Sequence, residues 1–222
     1  MKPQAIIFDF DGVLADTEPL HLRAYQTILG AQGIHLSREE YYAKYLGFDD
    51  AGLFQALADD RDLDVTNTQM EQWIAEKTKV ITDLLQSDSV LFPGAVSCVR
   101  TLAPLAPMGI ASGALEPEIA IVLNASGLSG SFKVIASASD GVRGKPAPDL
   151  YLLALAKLRR FTPIQPDGAV AIEDSVWGLE AARAAGLKTI GITHTYPAAE
   201  LKGADLVVTD LAAITPEALH SL

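Results

Sequence analysis

The sequence predicts an α/β protein whose mostly parallel sheet is interrupted, after its first strand, by an inserted set of helices. Short apolar runs rich in Ile, Val and Ala alternate with helical patterns along most of the 222 residues. Such alternation indicates βαβ units and a parallel sheet covered on both faces. Residues 17–88 differ, because their apolar residues recur about every 3.6 positions and none of their segments is typical of a strand.

Six apolar runs are predicted as the strands, and helical patterns lie between most of the later ones. The runs are 4–9, 107–112, 132–137, 168–172, 188–193 and 205–208. The helical patterns include 116–126, 148–159 and 176–185, the last of which ends at Gly186.

The inserted segment is predicted to hold four or five helices. We therefore predict a core domain of residues 1–16 and 89–222, and a helical cap domain of residues 17–88. Because the insertion leaves the core where the first strand ends, we expect it to cover the active site as a lid that excludes water. The alternative is a helical addition that is remote from the chemistry.

Composition excludes several classes of partner. The chain has 28 acidic and 17 basic residues and a net charge of −11, which argues against nucleic acid and anionic membranes. A single cysteine, Cys98, rules out an internal disulfide, and its apolar helical surroundings favour a structural thiol. No run is typical of a signal peptide or a membrane span, so a cytoplasmic protein is expected. The oligomeric state stays open, with a monomer as one option.

Two carboxylates follow the first strand. Asp9 ends the apolar run, and Asp11 and Gly12 come directly after it. In an open parallel sheet, ligands bind at the carboxyl ends of the strands. Asp9 is therefore predicted to attack phosphorus as a nucleophile, and Asp11 to act as general acid and then general base. Two acids that only cap the next helix are the alternative.

A second pair of acids, Glu173 and Asp174, follows a later strand and is predicted to share a cation with the first pair. Clustered carboxylates favour Mg²⁺, which binds oxygen ligands and retains waters. We assign to it Asp9, the backbone carbonyl of Asp11, and Asp174, with Glu173 as a further ligand or an orienting residue. The four histidines, at positions 21, 35, 194 and 220, have no zinc-ligand spacing.

Two loops between these acids are predicted to bind the phosphoryl group. Ser112, with the backbone N–H groups of Gly113 and Ala114, follows the second strand and forms a candidate phosphate cradle, although a helix N-cap would also explain the serine. Lys145, between Gly144 and Pro146, is predicted to neutralise the transferring group.

Three further residues have weaker assignments. Thr17 and His21 lie one helical turn apart and are predicted to face Asp9 and Asp11, where His21 would orient the general acid or bind a substrate hydroxyl. A packed helix histidine is the alternative. Trp177, just after the second acidic pair, is expected in the core rather than in contact with substrate.

These motifs resemble those of the haloacid dehalogenase superfamily. The first motif is residues 9–18, and the others are Ser112, Lys145 and Glu173 with Asp174, in the same order as in its phosphatases. The chain is most similar to the β-phosphoglucomutase-like group, which also contains phosphoglycolate and sugar-phosphate phosphatases. The resemblance implies a Rossmann-like core, an aspartyl-phosphate at Asp9, Mg²⁺, and a cap that sets specificity with Lys77 as a substrate-contacting lysine.

Two departures from the mutases favour a hydrolase. Where the mutases carry an arginine that holds a second phosphate, this chain has residues 47–52, including Asp49 and Asp50. After the serine of the phosphate loop, Leu115 and Glu116 replace a cationic and an amide residue. We expect a Mg²⁺-dependent phosphatase that acts on a small phosphorylated metabolite, such as a sugar phosphate or phosphoglycolate. A phosphosugar mutase and a catalytically idle binding protein are the alternatives.

Overall fold

Within residues 2–46, 48–87 and 90–222, which the computed structural model describes, six strands form one parallel sheet. The strands are β1 (Ala5–Phe8), β2 (Met108–Ala111), β3 (Phe132–Ala136), β4 (Ala169–Glu173), β5 (Lys188–Ile192) and β6 (Leu206–Val208). Their order across the sheet is β3-β2-β1-β4-β5-β6, and every neighbouring pair is parallel. The predicted α/β class with a parallel sheet is confirmed.

The helices alternate with these strands, apart from a group that follows β1. They are α1 (Glu18–Ala31), α2 (Arg38–Glu40), α3 (Asp50–Asp60), α4 (Asn67–Ser87), α5 (Ala95–Leu102), α6 (Glu116–Ala125), α7 (Asp149–Leu158), α8 (Val176–Ala184) and α9 (Pro216–His220). A π-helical turn, Tyr41–Tyr45, follows α2 directly. Short 3₁₀ turns cover Ser129–Ser131, Ala138–Asp140, Pro166–Gly168 and Leu211–Ala213.

The register of the central strands places several predicted site residues at one edge. In β1, Phe8 lies opposite Ile110 of β2 and Ile172 of β4. All four residues of β1 are buried, as expected of a central strand that is covered on both faces. Because parallel strands end at the same edge, Asp9 follows β1 beside Glu173 at the end of β4.

The chain divides into two compact units. The first consists of Met1–Asp16 and Ser89–Leu222, and the second of Thr17–Asp88. The first contains the sheet. The second contains α1 to α4, which surround a core of their own that includes Tyr25, Leu29, Phe54 and Trp73. An inserted helical unit of this kind agrees with the predicted fold class, whereas its action as a lid stays a prediction.

The described residues bear on two expectations from the sequence, which concern a membrane span and the role of Cys98. None of the helices found there has both the length and the apolar character that a membrane crossing needs. Cys98 is buried on α5, and burial raises the pKa of its thiol to about 12. Such a thiol stays protonated near neutral pH, which agrees with the structural role that the sequence indicates.

Candidate active site

Asp9 is held rigidly at the end of β1. Its backbone N–H donates to the carbonyl oxygen of Ile172 at 2.9 Å, which continues the ladder between β1 and β4 by one residue. Its carboxylate Oδ1 accepts the N–H of Phe10 at 2.7 Å. The side chain is almost fully buried. A carboxylate fixed in this way has a defined direction of attack.

Three buried carboxylates meet beside this strand end. Oxygen atoms of Asp9, Glu173 and Asp174 all lie within 4.8 Å of one another, and together they form a potential metal site. Oxygen-only ligands at this spacing suit a hard divalent cation. Of the residues predicted to bind the metal, these three are therefore brought together, whereas the part of the Asp11 backbone carbonyl stays a prediction.

Lys145 joins two members of the cluster. Its Nζ lies 2.8 Å from Oδ1 of Asp9 and 2.5 Å from Oε1 of Glu173. The same Oε1 accepts the hydroxyl of Tyr151 at 2.8 Å, and Nζ lies 5.3 Å from the centre of that ring. Lys145 is thus a partly buried structural and electrostatic part of the site rather than a solvated surface lysine.

The charges within the cluster do not balance. Burial raises the pKa of Asp9 well above its usual value, Glu173 raises it further, and Lys145 opposes both effects. Burial followed by Glu173 raises the pKa of Asp174 to about 6, although a hydrogen bond from Thr195 acts in the opposite direction. Three ionised carboxylates and one ammonium carry a net charge of −2 (three negative, one positive), which a divalent cation would neutralise. The donor set and its charge therefore fit such an ion.

Two glycines make this packing possible. Gly12 has φ +75°, and a Cβ there would lie 1.9 Å from Oδ2 of Asp174. A Cβ on Gly178, in the first turn of α8, would lie 1.9 Å from the carboxyl carbon of Glu173. Neither position has room for a side chain. Gly178 and Tyr151 were missed in the sequence, where neither belongs to a local pattern that points to the acids.

Asp11 lies in a tight turn after Asp9 and outside the group of three carboxylates. A bridge pairs Asp11 with Ala15, and the N–H of Gly12 donates to the carbonyl of Ala15 at 2.9 Å. His194 contacts the carbonyl oxygen of Gly12 through Nδ1 at 2.9 Å. The turn therefore fixes the backbone of Asp11 directly beside the nucleophile.

Ser112 directly follows β2 and is completely buried. Its Oγ accepts the N–H of Ala114 at 3.0 Å, and its own N–H donates to Ala136 at 3.0 Å. The following helix, α6, has Leu115 as its N-cap. The alternative explanation of Ser112 as a helix cap is therefore wrong. Gly113 has open space where a Cβ would lie, which leaves its backbone accessible to a ligand.

The remaining predicted substrate contacts lie in the helical unit. Lys77, only 2% exposed, places Nζ 2.8 Å from Oδ1 of Asp50 and 2.9 Å from Nδ1 of His21. Asp50 also accepts the hydroxyl of Tyr25 at 2.6 Å. Burial and then Lys77 lower the pKa of His21 to about 4. The structure thus groups His21 with Lys77, while Thr17 is buried just before α1.

In the loop where the mutases carry an arginine, Asp49 and Asp50 were expected to repel a phosphate. Both carboxylates instead have partners within the protein. Asp49 caps α3 and accepts the N–H of Gly52 at 2.7 Å. Asp50 is the partner of Lys77, so its charge is compensated. Gly47, the first residue of that stretch, lies outside the described residues.

The expectation for Trp177 was wrong. Its side chain is 57% exposed and lies edge-on to Tyr196 at 6.4 Å between ring centres. The buried face of α8 instead consists of Gly178, Leu179, Ala181 and Ala182. Helical spacing located the helix but not the side of it that faces the sheet.

Comparison with known proteins identifies the group to which these motifs belong. The profile of the haloacid dehalogenase-like hydrolase family matches residues 3–186. The protein CbbY of Rhodobacter capsulatus is 31% identical, over the full length of both chains. Fructose-1-phosphate phosphatase YqaB of Escherichia coli is 29% identical over 84% of this chain and 95% of its own. β-Phosphoglucomutase of Bacillus subtilis is 28% identical over 98% of this chain and 94% of its own.

A solved structure agrees with these relatives. CbbY from Rhodobacter sphaeroides, crystallised as a mutant with xylulose-1,5-bisphosphate, superposes with a TM-score of 0.81 at 29% identity and covers 95% of both chains. The family resemblance drawn from the motifs and the Rossmann-like core with an inserted helical unit are therefore confirmed. The prediction of an enzyme is confirmed as well, and the relatives named as phosphatases support the class of phosphoric monoester hydrolases.

Proposed function

This chain belongs to the haloacid dehalogenase-like hydrolases, and from that premise we propose that it is a Mg²⁺-dependent phosphatase of small phosphomonoesters. The observation that carries the proposal is the fixed carboxylate of Asp9, 2.8 Å from the ammonium of Lys145 and within 4.8 Å of two further acids. That arrangement combines a nucleophile with a cation and with the donors for a metal. The names of the relatives favour a sugar phosphate, and phosphoglycolate is the other candidate.

In the proposed reaction, the phosphoryl group passes through Asp9. A bond forms between an Asp9 oxygen and phosphorus as the ester P–O bond breaks, and Asp11 donates a proton to the departing alcohol oxygen. Asp11 then takes a proton from water, whose oxygen attacks phosphorus and releases Asp9 and inorganic phosphate. Asp11 is then protonated again, as the next catalytic cycle requires.

Other residues stabilise the charge that develops on the phosphoryl oxygens. Ser112 and the N–H groups of Gly113 and Ala114 donate hydrogen bonds, and Lys145 supplies a positive charge. Mg²⁺, when bound, neutralises the carboxylates and the phosphate; Asp9, the Asp11 backbone carbonyl, Asp174 and Glu173 would hold it. Since burial disfavours the ionised form of Asp9, a nearby cation also keeps this nucleophile ionised.

The charge of the helical unit supports hydrolysis of a monophosphate over a mutase reaction. A sugar bisphosphate carries roughly four negative charges at neutral pH. Lys77 is compensated by Asp50 at 2.8 Å, and His21, with a pKa of about 4, is neutral under these conditions. This cluster therefore has no net positive charge with which to attract a second phosphate. Because β-phosphoglucomutase is among the relatives, a mutase is the second candidate function.

The experiment uses purified protein, Mg²⁺ and a panel of phosphorylated metabolites that includes fructose 1-phosphate, phosphoglycolate and β-glucose 1-phosphate. Both inorganic phosphate and sugar-phosphate isomers are measured, with a chelator and the Asp9→Asn variant as controls. We expect release of phosphate from one or a few monoesters, abolished by either control. Isomer formation with little free phosphate would support the mutase instead.

A third outcome addresses the idle binding protein. Saturable binding of a phosphorylated ligand without any turnover would contradict the proposed enzyme. The presence of each family motif, at Asp9, Asp11, Ser112, Lys145 and Glu173 with Asp174, argues for activity. We propose further that the enzyme acts in the cytoplasm, where phosphorylated sugars are produced and consumed.

A further inference from the structure

We propose that His194 and Thr195, in the loop after β5, are positioning residues that hold two functional groups of the site from one short stretch of backbone. His194 would fix the turn that carries Asp11, and Thr195 would fix the carboxylate of Asp174. The inference rests on the proposed function for the roles of these two acids, but the contacts themselves do not depend on it.

His194 contacts the turn at Gly12, which has a positive φ and no room for a side chain. Its Nδ1 lies 2.9 Å from the carbonyl oxygen of Gly12, and because a carbonyl only accepts, this nitrogen carries the proton. The imidazole ring also stacks on Phe92, with 4.0 Å between ring centres and 26° between planes. The N–H of Phe92 in turn donates to the carbonyl of Leu14 at 3.0 Å. The turn is thus held by His194 directly and by the segment on which His194 packs.

Thr195, the next residue, reaches the acidic cluster. Its hydroxyl lies beside the carboxylate of Asp174 and opposes the rise in the pKa of that acid. The two side chains meet above Gly12, since a Cβ there would lie 1.9 Å from Oδ2 of Asp174 and 3.0 Å from Oγ1 of Thr195. Consecutive residues therefore lie against the carbonyl of Gly12 and beside the carboxylate of Asp174, where they would fix the separation between the general acid and the metal ligand.

Each contact has a separate consequence for the reaction. A hydrogen bond that orients a metal-binding carboxylate affects metal affinity, and loss of such a bond typically weakens binding about 10–100-fold. The turn acts instead on Asp11, which must meet the leaving oxygen in one half of the reaction and water in the other. A shift in this turn would slow both proton transfers without loss of a metal ligand.

A role in stability alone does not account for the pair. Thr195 is exposed and His194 is only partly buried, so neither contributes a large apolar area to the core. Nδ1 of His194 nevertheless contacts the carbonyl of Gly12, and Oγ1 of Thr195 lies beside the carboxylate of Asp174. The test therefore separates metal affinity, catalytic rate and unfolding.

The test of Thr195 measures Mg²⁺ binding. It compares Thr195→Val, which keeps the shape of the side chain, with Thr195→Ser, which keeps its hydroxyl. Titration calorimetry with Mg²⁺ alone is expected to show binding about 10–100-fold weaker in Thr195→Val and near wild type in Thr195→Ser. Equal affinity in Thr195→Val and wild type would overturn this half of the proposal. Thermal unfolding confirms that each variant is folded.

The test of His194 measures the catalytic rate. It compares His194→Ala with His194→Asn, whose amide nitrogen can occupy the place of Nδ1. With a substrate found in the panel, His194→Ala is expected to lower kcat about 10-fold, with KM and Mg²⁺ affinity near wild type. His194→Asn should recover most of the rate. Unchanged kcat in His194→Ala, or loss of Mg²⁺ affinity in proportion to kcat, would overturn this half.

Failure of the proposed function would look different from failure of this inference. If wild-type protein releases no phosphate from any monoester, the proposed function fails, yet the calorimetric difference between Thr195→Val and Thr195→Ser can still be measured. If wild type is active and none of the variants differs from it, the positioning roles are wrong and the phosphatase stands.

Discussion

Each of the two units holds a lysine that is largely shielded from solvent, and the partners of the two lysines differ in charge. Lys145 contacts Asp9 and Glu173 and belongs to a cluster of three carboxylates. Lys77 contacts one carboxylate, Asp50, and a histidine whose pKa is lowered to about 4. With every group ionised, the first cluster has a formal charge of −2 (three carboxylates, one ammonium), whereas the second is neutral (one of each).

This difference means that the cluster around Lys145 requires a further cation to balance its charge, whereas the cluster around Lys77 does not. Buried carboxylates are unfavourable unless a cation compensates them, which is why the pKa values of Asp9 and Asp174 are raised. In the helical unit, Asp50 and Lys77 satisfy each other, and Tyr25 donates a further hydrogen bond to Asp50. The net charge of a buried cluster therefore indicates chemistry more clearly than the presence of a lysine does.

The largest effect is expected from replacement of the two acids of the first motif. Asp9→Asn removes the nucleophile and should abolish turnover, and Asp11→Asn should lower kcat by roughly 10⁴-fold because proton transfer is lost. Phosphate release under saturating substrate and Mg²⁺ measures both. Asp16→Asn, at an exposed acid of the same segment, is the control and should retain activity. Wild-type rates in either Asp9→Asn or Asp11→Asn would contradict the mechanism.

The second prediction compares the two lysines directly. Lys145→Met should lower kcat by roughly 10³-fold, because the transferring group and the carboxylates lose their fixed positive charge. Lys77→Met should instead lower the free energy of unfolding by about 1–3 kcal/mol, since Asp50 loses its partner.

Steady-state kinetics and chemical denaturation of both variants test this contrast. Because Lys77 is also a predicted substrate contact, its variant is expected to raise KM more than it lowers kcat. A large loss of kcat in Lys77→Met, with Lys145→Met still active, would reverse the roles assigned to the two clusters.

The third prediction uses a matched pair of helical glycines, one in each unit. Gly178→Ala should destabilise the fold by about 1–3 kcal/mol and weaken Mg²⁺ binding, because the new Cβ would collide with the carboxylate of Glu173. Gly30→Ala, in α1, has nothing within 4 Å of its Cβ and should stabilise by up to about 1 kcal/mol. Thermal unfolding and calorimetry compare them, and equal effects of the two substitutions would contradict the close packing described around Glu173.

The smallest effect is a pH dependence of stability in the helical cluster. His21 has a pKa of about 4 in the folded protein against an ordinary value of 6.5, because burial and then Lys77 disfavour its charged form, while Asp50 favours it. Between these pH values the unfolded chain binds the proton that the folded chain does not. The free energy of unfolding is therefore expected to fall as pH decreases from 6.5 to 4, with at most about 3 kcal/mol due to this residue.

Denaturation curves of wild type, His21→Gln and His35→Gln across this pH range isolate the contribution of His21. His35 lies in the same unit and is exposed, so its variant should keep the wild-type slope. His21→Gln should show a shallower slope. Identical slopes in all three proteins would mean that His21 does not titrate as its surroundings indicate.

The sequence alone was sufficient to predict that the acidic side chains at the strand ends lie close together. Asp9 and the pair Glu173 and Asp174 directly follow apolar runs, and parallel strands bring such positions to one edge, so their proximity could be predicted without coordinates. Lys145 was identified by its stiff loop and by resemblance. The class of the fold followed from the alternation of apolar runs with helical patterns.

Other contacts depend on how separate elements pack, which periodicity does not determine. Tyr151 reaches Glu173 from α7, and Thr195 reaches Asp174 from the loop after β5. Asp50 was expected to repel a phosphate, but its pairing with Lys77, 27 positions away in sequence, cannot be read from either residue alone. For Trp177, helical spacing alone did not determine which side of α8 faces the sheet.

The central claim, covalent catalysis at Asp9, can be tested by trapping the acyl-phosphate. Wild-type protein is mixed with Mg²⁺ and an activated phosphomonoester such as p-nitrophenyl phosphate, quenched in acid, and treated with borohydride, which reduces an acyl-phosphate to an alcohol. Peptide mass spectrometry should then find homoserine at position 9, only when both substrate and Mg²⁺ were present. Steady release of phosphate without reduction at Asp9, or with reduction at Asp11 instead, would contradict the account.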